Sequence, residues 1–202
     1  MSFSYPLSHP LIPIKKHSYK LRQVQAISQS PYTLSTQVHT YTGQSLEYSL
    51  QYRTMKQLEA RKLIGFLLRM NGIVGSVYLG DPDGNLGNHD GSNLTIVSKT
   101  SPKEIICSGF LPLQQQALIE GDFFSFSNYE LKRVCEDVNV DGSGSAIIKF
   151  ESALRDQTIN TGSIITTNNP KGIFRLATPN IEYSSDELKE HEMTLIFVEK
   201  IL

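Results

Sequence analysis

The stretch from Gly121 to Arg155, GDFFSFSNYELKRVCEDVNVDGSGSAIIKFESALR, decides how this chain is read. Asp137, Asn139, Asp141 and Gly142 match the first half of an EF-hand loop, in which oxygen ligands fall at alternate positions and glycine occupies the sixth. The twelfth position, where a bidentate Glu closes a calcium shell, is Ile148. The flanks YELKRVCEDV and SAIIKF are rich in apolar and β-branched residues rather than in the helix formers that bracket an EF-hand. The pattern therefore predicts a hairpin, two strands reversed by an Asp-Gly turn, with a weak cation loop of Asp137, Asn139 and Asp141 as the alternative. No metal and no cofactor is expected.

On both sides of this stretch, from Asn93 to Ala177, short apolar runs recur between turn residues: NLTIVS, EIICSGF, DFFSF, LKRVCEDV, SAIIKF, SIITT and IFRLA. Such spacing predicts a small all-β barrel or sandwich. Phe123, Phe124, Phe126 and Tyr129 could stack bases, but without a basic groove beside them they are expected in the barrel core.

Further upstream, Tyr32, Leu34 and Val38 alternate with polar residues, as do Leu46, Tyr48, Leu50 and Tyr52 after Thr42-Gly43. This predicts a half-buried antiparallel hairpin turned at Thr42-Gly43, with Ser18 to Ser28 as a weaker neighbouring strand. The period then changes to three and four residues. Thr54 with Gln57 reads as a capping box and Gly72 as the residue past the end, so a helix is predicted over 54–71. Ile73 to Leu79 reads as a strand, and Asp81 to Gly91 as a turn-rich loop. At the other end, a polar stretch SSDELKEHE precedes MTLIFVEKIL, which reads as a strand apolar on both faces that returns to the first sheet.

The expected fold is mainly β with one principal α-helix. A β-sandwich-like N-terminal domain, residues 1–82, is completed by the C-terminal strand in 180–202, and a small OB-like β-barrel, 83–179, is inserted between them.

With 19 Lys and Arg against 20 Asp and Glu, spread along the chain, nothing marks a nucleic-acid surface. No run of eighteen apolar residues suggests a membrane helix, and Pro6, Pro10 and Pro13 break the first seventeen residues into what reads as an extended arm. Cys107 and Cys135 form no ligand cluster and are expected to be buried thiols of a protein made in a reducing cytoplasm. Phosphate-binding glycine loops, paired zinc histidines and a nucleophile elbow are all missing from the sequence, so no enzyme is expected. Asp81, Asp83 and Asp90 form a second acidic loop that fits no cation spacing, and His89 beside Ser92 reads as turn. Arg155 and Arg175, beside apolar runs, either bridge carboxylates and carbonyls within the chain or form ion pairs between subunits.

The order of these parts resembles the distal tail proteins of long-tailed bacteriophages. The hairpin YTLSTQVHTYTGQSLEYSLQYR, the helix TMKQLEARKLIGFLLRMNG and the strand IVGSVYLGD are similar to that family's N-terminal domain. Downstream, LIEGDFF, EDVNVDGSGSAIIKF, ALR and IFRL follow in the family's order, although Glu151-Ser152-Ala153 stands where many relatives carry prolines. The resemblance implies a virion structural protein without a catalytic centre. It would form a homo-oligomeric ring, a hexamer in the family's larger members, linking tail tube to tail-tip or baseplate proteins such as the tail hub. Its inserted OB-like barrel need not bind nucleic acid. The competing expectation is a carbohydrate- or peptide-binding β module, with or without a cation.

Overall fold

The computed structural model of the chain describes residues 3–180, 184–185 and 191–201. Among them the protein is mainly β with one helix. Strands β1 (Leu7–Ser8), β2 (Ile14–Gln29) and β3 (Thr36–Tyr52) precede α1 (Gln57–Met70) and β4 (Val77–Gly80). Then come β5 (Leu94–Ser101), β6 (Glu104–Ser108), β7 (Phe123–Phe126), β8 (Leu131–Arg133), β9 (Ser145–Lys149) and β10 (Ile164–Thr166). The chain returns through β11 (Lys171–Leu176), the short pair β12 (Ser184–Ser185) and β13 (His191–Glu192), and β14 (Thr194–Glu199). Most of the polar stretch before Met193 lies outside the described residues. Two compact units result: Met1–Tyr78 with Phe174–Leu202, and Leu79–Ile173. The chain passes between them inside β4 and β11, a few residues earlier than the turn-rich loops suggested.

The first unit carries the sheet β1-β4-β11-β14-β3-β2. The N-terminal arm is thus partly a strand, β1, parallel to β4. IFRLA, expected in the barrel, supplies β11 of this sheet instead. The C-terminal strand lies between β11 and β3, antiparallel to both. Its side chains alternate, with Leu195, Phe197 and Glu199 buried and Ile196 exposed, so it is covered on one face and not on two. On β3, Leu46, Tyr48, Leu50 and Tyr52 point into the core at the expected period of two.

Two local expectations change. The helix begins at Gln57, because Thr54 is engaged elsewhere, its Oγ1 3.3 Å from Glu192, and the Lys56 N–H donates to Glu59 Oε2 at 3.3 Å. Asn71, at φ 51°, takes the left-handed conformation that closes the helix, and Ala60, Leu63, Phe66, Leu67 and Met70 form its buried stripe. The hairpin does not turn at Thr42-Gly43. β3 runs through that dipeptide as one strand, and the reversal from β2 lies at Ser30 to Ser35, where Leu34 adopts φ 57°. A lone Gly does not make a turn when both flanks can extend and a partner strand is available; here Val24 packs 3.1 Å from where a Gly43 Cβ would sit.

The second unit holds the sheet β8-β7-β10-β5-β6-β9, curled into a half-barrel. Register shifts between β5 and β6, at Ile96/Ser98 and Lys99/Ser101, are the irregularities that bend a sheet. The edge strands β8 and β9 meet at a single antiparallel bridge, Val134 to Phe150, backed by the Cys135 N–H donating to Lys149 O at 2.9 Å. Leu94, Ile105, Phe124, Phe126, Ile148 and Ile165 are buried in one cluster. Phe124 and Phe126 belong to that cluster as expected, whereas Phe123 is buried outside it beneath the Arg133 guanidinium and Tyr129 is exposed.

Candidate functional site

The oxygens of the candidate cation loop are engaged by the chain itself. Asp141 Oδ1 accepts from the Ser143 N–H at 2.8 Å, the Ser143 hydroxyl at 2.7 Å and the Ser145 N–H at 2.9 Å. Asn139 Oδ1 accepts from the Gln116 N–H, and Asp137 accepts from the Glu120 N–H and the Gln116 amide. These bonds hold the Asp137 and Asp141 carboxyls below the ordinary value, Asp137 mainly through Glu120 and Asp141 mainly through Ser143. Ile148, at the twelfth position, is buried in the barrel. The hairpin expected around this turn forms only in part. The turn itself is present, with the Asp141 N–H donating to Ser145 O at 2.9 Å, but β8 pairs with β7 and β9 with β6. Residues 138–140 bond instead to the 114–118 segment, through Val138 to Leu118 and Val140 to Gln114. Two runs with the same period can each find other partners, and the barrel's closure decides which.

Arg155 takes the intrachain option. Glu130 and Lys132, both buried, form a 2.9 Å ion pair, and Arg155 Nε lies 3.3 Å from the same Glu130 Oε1. The Lys132 ammonium also donates to Ser152 Oγ at 2.6 Å and to Ala153 O at 3.1 Å. Burial alone would raise the Glu130 carboxyl, but the Lys132 charge and hydrogen bond, with Arg155, hold it below its ordinary value. Arg175 is exposed on β11. Of the two thiols, Cys107 is buried and pushed up to about 12 by that burial; Cys135, expected inside, is exposed. Sequence reasoning missed Asp122, a nearly buried carboxylate that accepts from the Leu86, Gly87 and Ile119 N–H groups at 2.9–3.0 Å. The Gly-Asp preceding an apolar run was its only signal.

The surface that stands out lies in the first unit. The Leu46 to Tyr52 half of β3 is flanked by β14 on one side and β2 on the other. The ladder with β14 stops at Glu47, and the next N–H, of Leu46, donates to the buried Glu199 carboxylate at 3.1 Å. Beyond that point β2 and β3 continue alone, paired from Leu21–Leu46 out to Gln29–Thr36. At about 3.4 Å per residue the ribbon runs on for roughly 25–30 Å. All described side chains from Lys20 to Gln29 and from Pro31 to Tyr41 are exposed. Ile27 and Val38 sit opposite each other, 70 % and 55 % exposed, and Tyr32 at the tip is 95 % exposed. From Gln23 to Leu46 there is no Asp, Glu, Lys or Arg.

Edge strands in soluble proteins are ordinarily blunted by charge, proline or a cover, and an isolated two-stranded ribbon is marginal in water. Beyond Arg22 this ribbon carries no Asp, Glu, Lys or Arg, and among the described residues both its edges are unpaired. The sequence matches no protein-family model and no curated protein significantly. Among the described residues no helix is long and apolar enough to cross a membrane.

Proposed function

We propose that this chain is a self-assembling structural subunit, a distal tail ring protein of a long-tailed phage that links the tail tube to the tail tip or baseplate. The uncharged β2–β3 ribbon carries the reading. Strand addition to an edge of a neighbouring copy would satisfy its outward N–H and C=O groups and cover Ile27, Val38 and Tyr41, a need that nothing among the described residues of its own subunit meets. A contact in which the ribbon of one copy meets a different surface of the next is heterologous, and such contacts close into rings when the rotation permits. The order of sequence parts resembling distal tail proteins, rather than the ribbon, supplies the tail location, the hexameric state and the neighbours. The half-barrel would serve as the spacer or docking module of that ring, assembled after synthesis in the host cytoplasm.

The test is a mass measurement in solution with negative-stain imaging, on the parent and on Ile27→Lys/Val38→Lys. Both substituted positions face solvent in the single chain, so its fold should survive. The parent is expected to form closed rings and the variant to remain monomeric. A parent that stays monomeric at high concentration, or a variant that assembles equally well, overturns the reading.

A further inference from the structure

We infer that the half-barrel carries a groove for a neutral, hydroxyl-rich ligand, a saccharide, between the Asp81 to Gly91 loop and the Asn168-Asn169 turn. The inference is independent of ring assembly. A cleft of about 410 Å³ is lined by Asp81, Asp83, Asp90, His89, Thr167 and Asn168 among others. A neighbouring depression shares Asn168 and Asn169 and adds Ser127, Tyr129 and Lys171. The two depressions thus meet at Asn168 and Asn169, and the second includes the exposed Tyr129.

Two buried polar atoms in the cleft wall point to a ligand. Thr167 is 4 % exposed, and its Oγ1 has no hydrogen-bond partner. The His89 side chain is 2 % exposed; its Nε2 is 2.9 Å from Ser92 O, while Nδ1 has no hydrogen bond and lies 3.5 Å from Asp90 Oδ1. With Nε2–H donating to that carbonyl, Nδ1 is left as a buried acceptor. Orphaned buried polar atoms are uncommon and cost stability, so a wall holding two of them is better explained by a partner than by chance. The wall is also rigid: Asn85 donates to Phe123 O and Thr167 O and accepts from the Phe123 N–H, while Asp122 holds the Leu86 and Gly87 amides.

The chemistry of the lining selects the ligand. Three aspartates repel phosphates and nucleic acid. His89 Nδ1 is an acceptor, whereas the Thr167 hydroxyl and the asparagine amides also offer donors, a mixed character that vicinal hydroxyls match. The exposed Tyr129 ring offers an apolar face to a sugar's C–H side.

Saturation-transfer difference NMR suits the full chain in any oligomeric state. Glucose, galactose, N-acetylglucosamine and rhamnose would be screened singly, with glycerol and calcium chloride as controls. At least one saccharide is expected to give a saturable signal. Thr167→Val, which keeps the backbone carbonyl used by Asn85, should weaken it roughly three- to tenfold, the worth of one hydrogen bond, while leaving the melting temperature equal or higher. Asn168→Ala, at an exposed position, should weaken it as well. Absence of signal from every saccharide, binding of calcium alone, or unchanged affinity in both variants overturns the inference.

Discussion

Replacing Lys132 by Met tests the buried ion pair that fastens the 151–156 segment to the barrel. Lys132 is 0 % exposed and Glu130 7 %, so the substitution strands a carboxylate in the protein interior with only the partly exposed Arg155 and backbone N–H groups beside it. Removing one partner of such a pair costs about 3–5 kcal/mol, because the remaining charge has lost both water and counter-charge. For a unit of this size that lowers the urea midpoint by more than about 1 M. Far-UV circular dichroism follows the transition, and the chain has no Trp to report it by fluorescence. The double variant Glu130→Gln/Lys132→Met should recover most of the loss, since no unpaired charge remains inside. The sign with pH follows from the lowered Glu130 value. In the parent, the stabilisation is full above the unfolded value near 4.5 and is lost as pH falls through the lower folded value. In Lys132→Met the deficit should shrink in acid, where protonation removes the stranded charge. A single variant within about 1 kcal/mol of the parent, or a double variant no better than the single, would refute the argument from desolvation.

His9 lies 2.6 Å from the Tyr52 hydroxyl and stacks on its ring, and burial lowers its value to about 4. The unfolded chain therefore binds the proton more tightly, and about 3 kcal/mol of the first unit's stability should disappear between pH 6.5 and 4. His9→Phe/Tyr52→Phe should flatten that slope in pH-dependent urea titrations; an unchanged slope counts against it. Cys135 should react with a maleimide in the native protein while Cys107 reacts only after denaturation, as peptide mapping by mass spectrometry would show; equal labelling contradicts the burial assignments. Asp141→Ala should lower the melting temperature by freeing the Ser143 and Ser145 donors, and calorimetric titration should find no calcium heat in the parent. A stoichiometric heat that Asp141→Ala abolishes would restore the cation loop.

Period and turn chemistry carried most of the fold. The alternation of Leu46, Tyr48, Leu50 and Tyr52 and the recurrence of Leu63, Leu67 and Met70 are local consequences of backbone geometry and survive into the structure, whereas Leu58 and Leu68 of the same apolar pattern are exposed. All seven apolar runs between Asn93 and Ala177 contain a strand. Local pattern does not encode partner choice. IFRLA joined the first sheet, and the two runs around Asp141 paired with β7 and β6 and not with each other. Asp122, Thr167 and His89 were equally illegible, since burial of a single polar side chain depends on chain far away in sequence.

Gly121 to Arg155 shows where the division falls. By itself the sequence determined that a tight Asp-Gly turn follows Val140, because Asp and Gly favour such a turn and the Asp141 side chain can cap it. Only the tertiary structure decided which strands the two runs beside that turn pair with. It alone also decided that the β2–β3 ribbon is left uncovered, because an edge is defined by which strands fail to arrive beside it, and that depends on the whole chain.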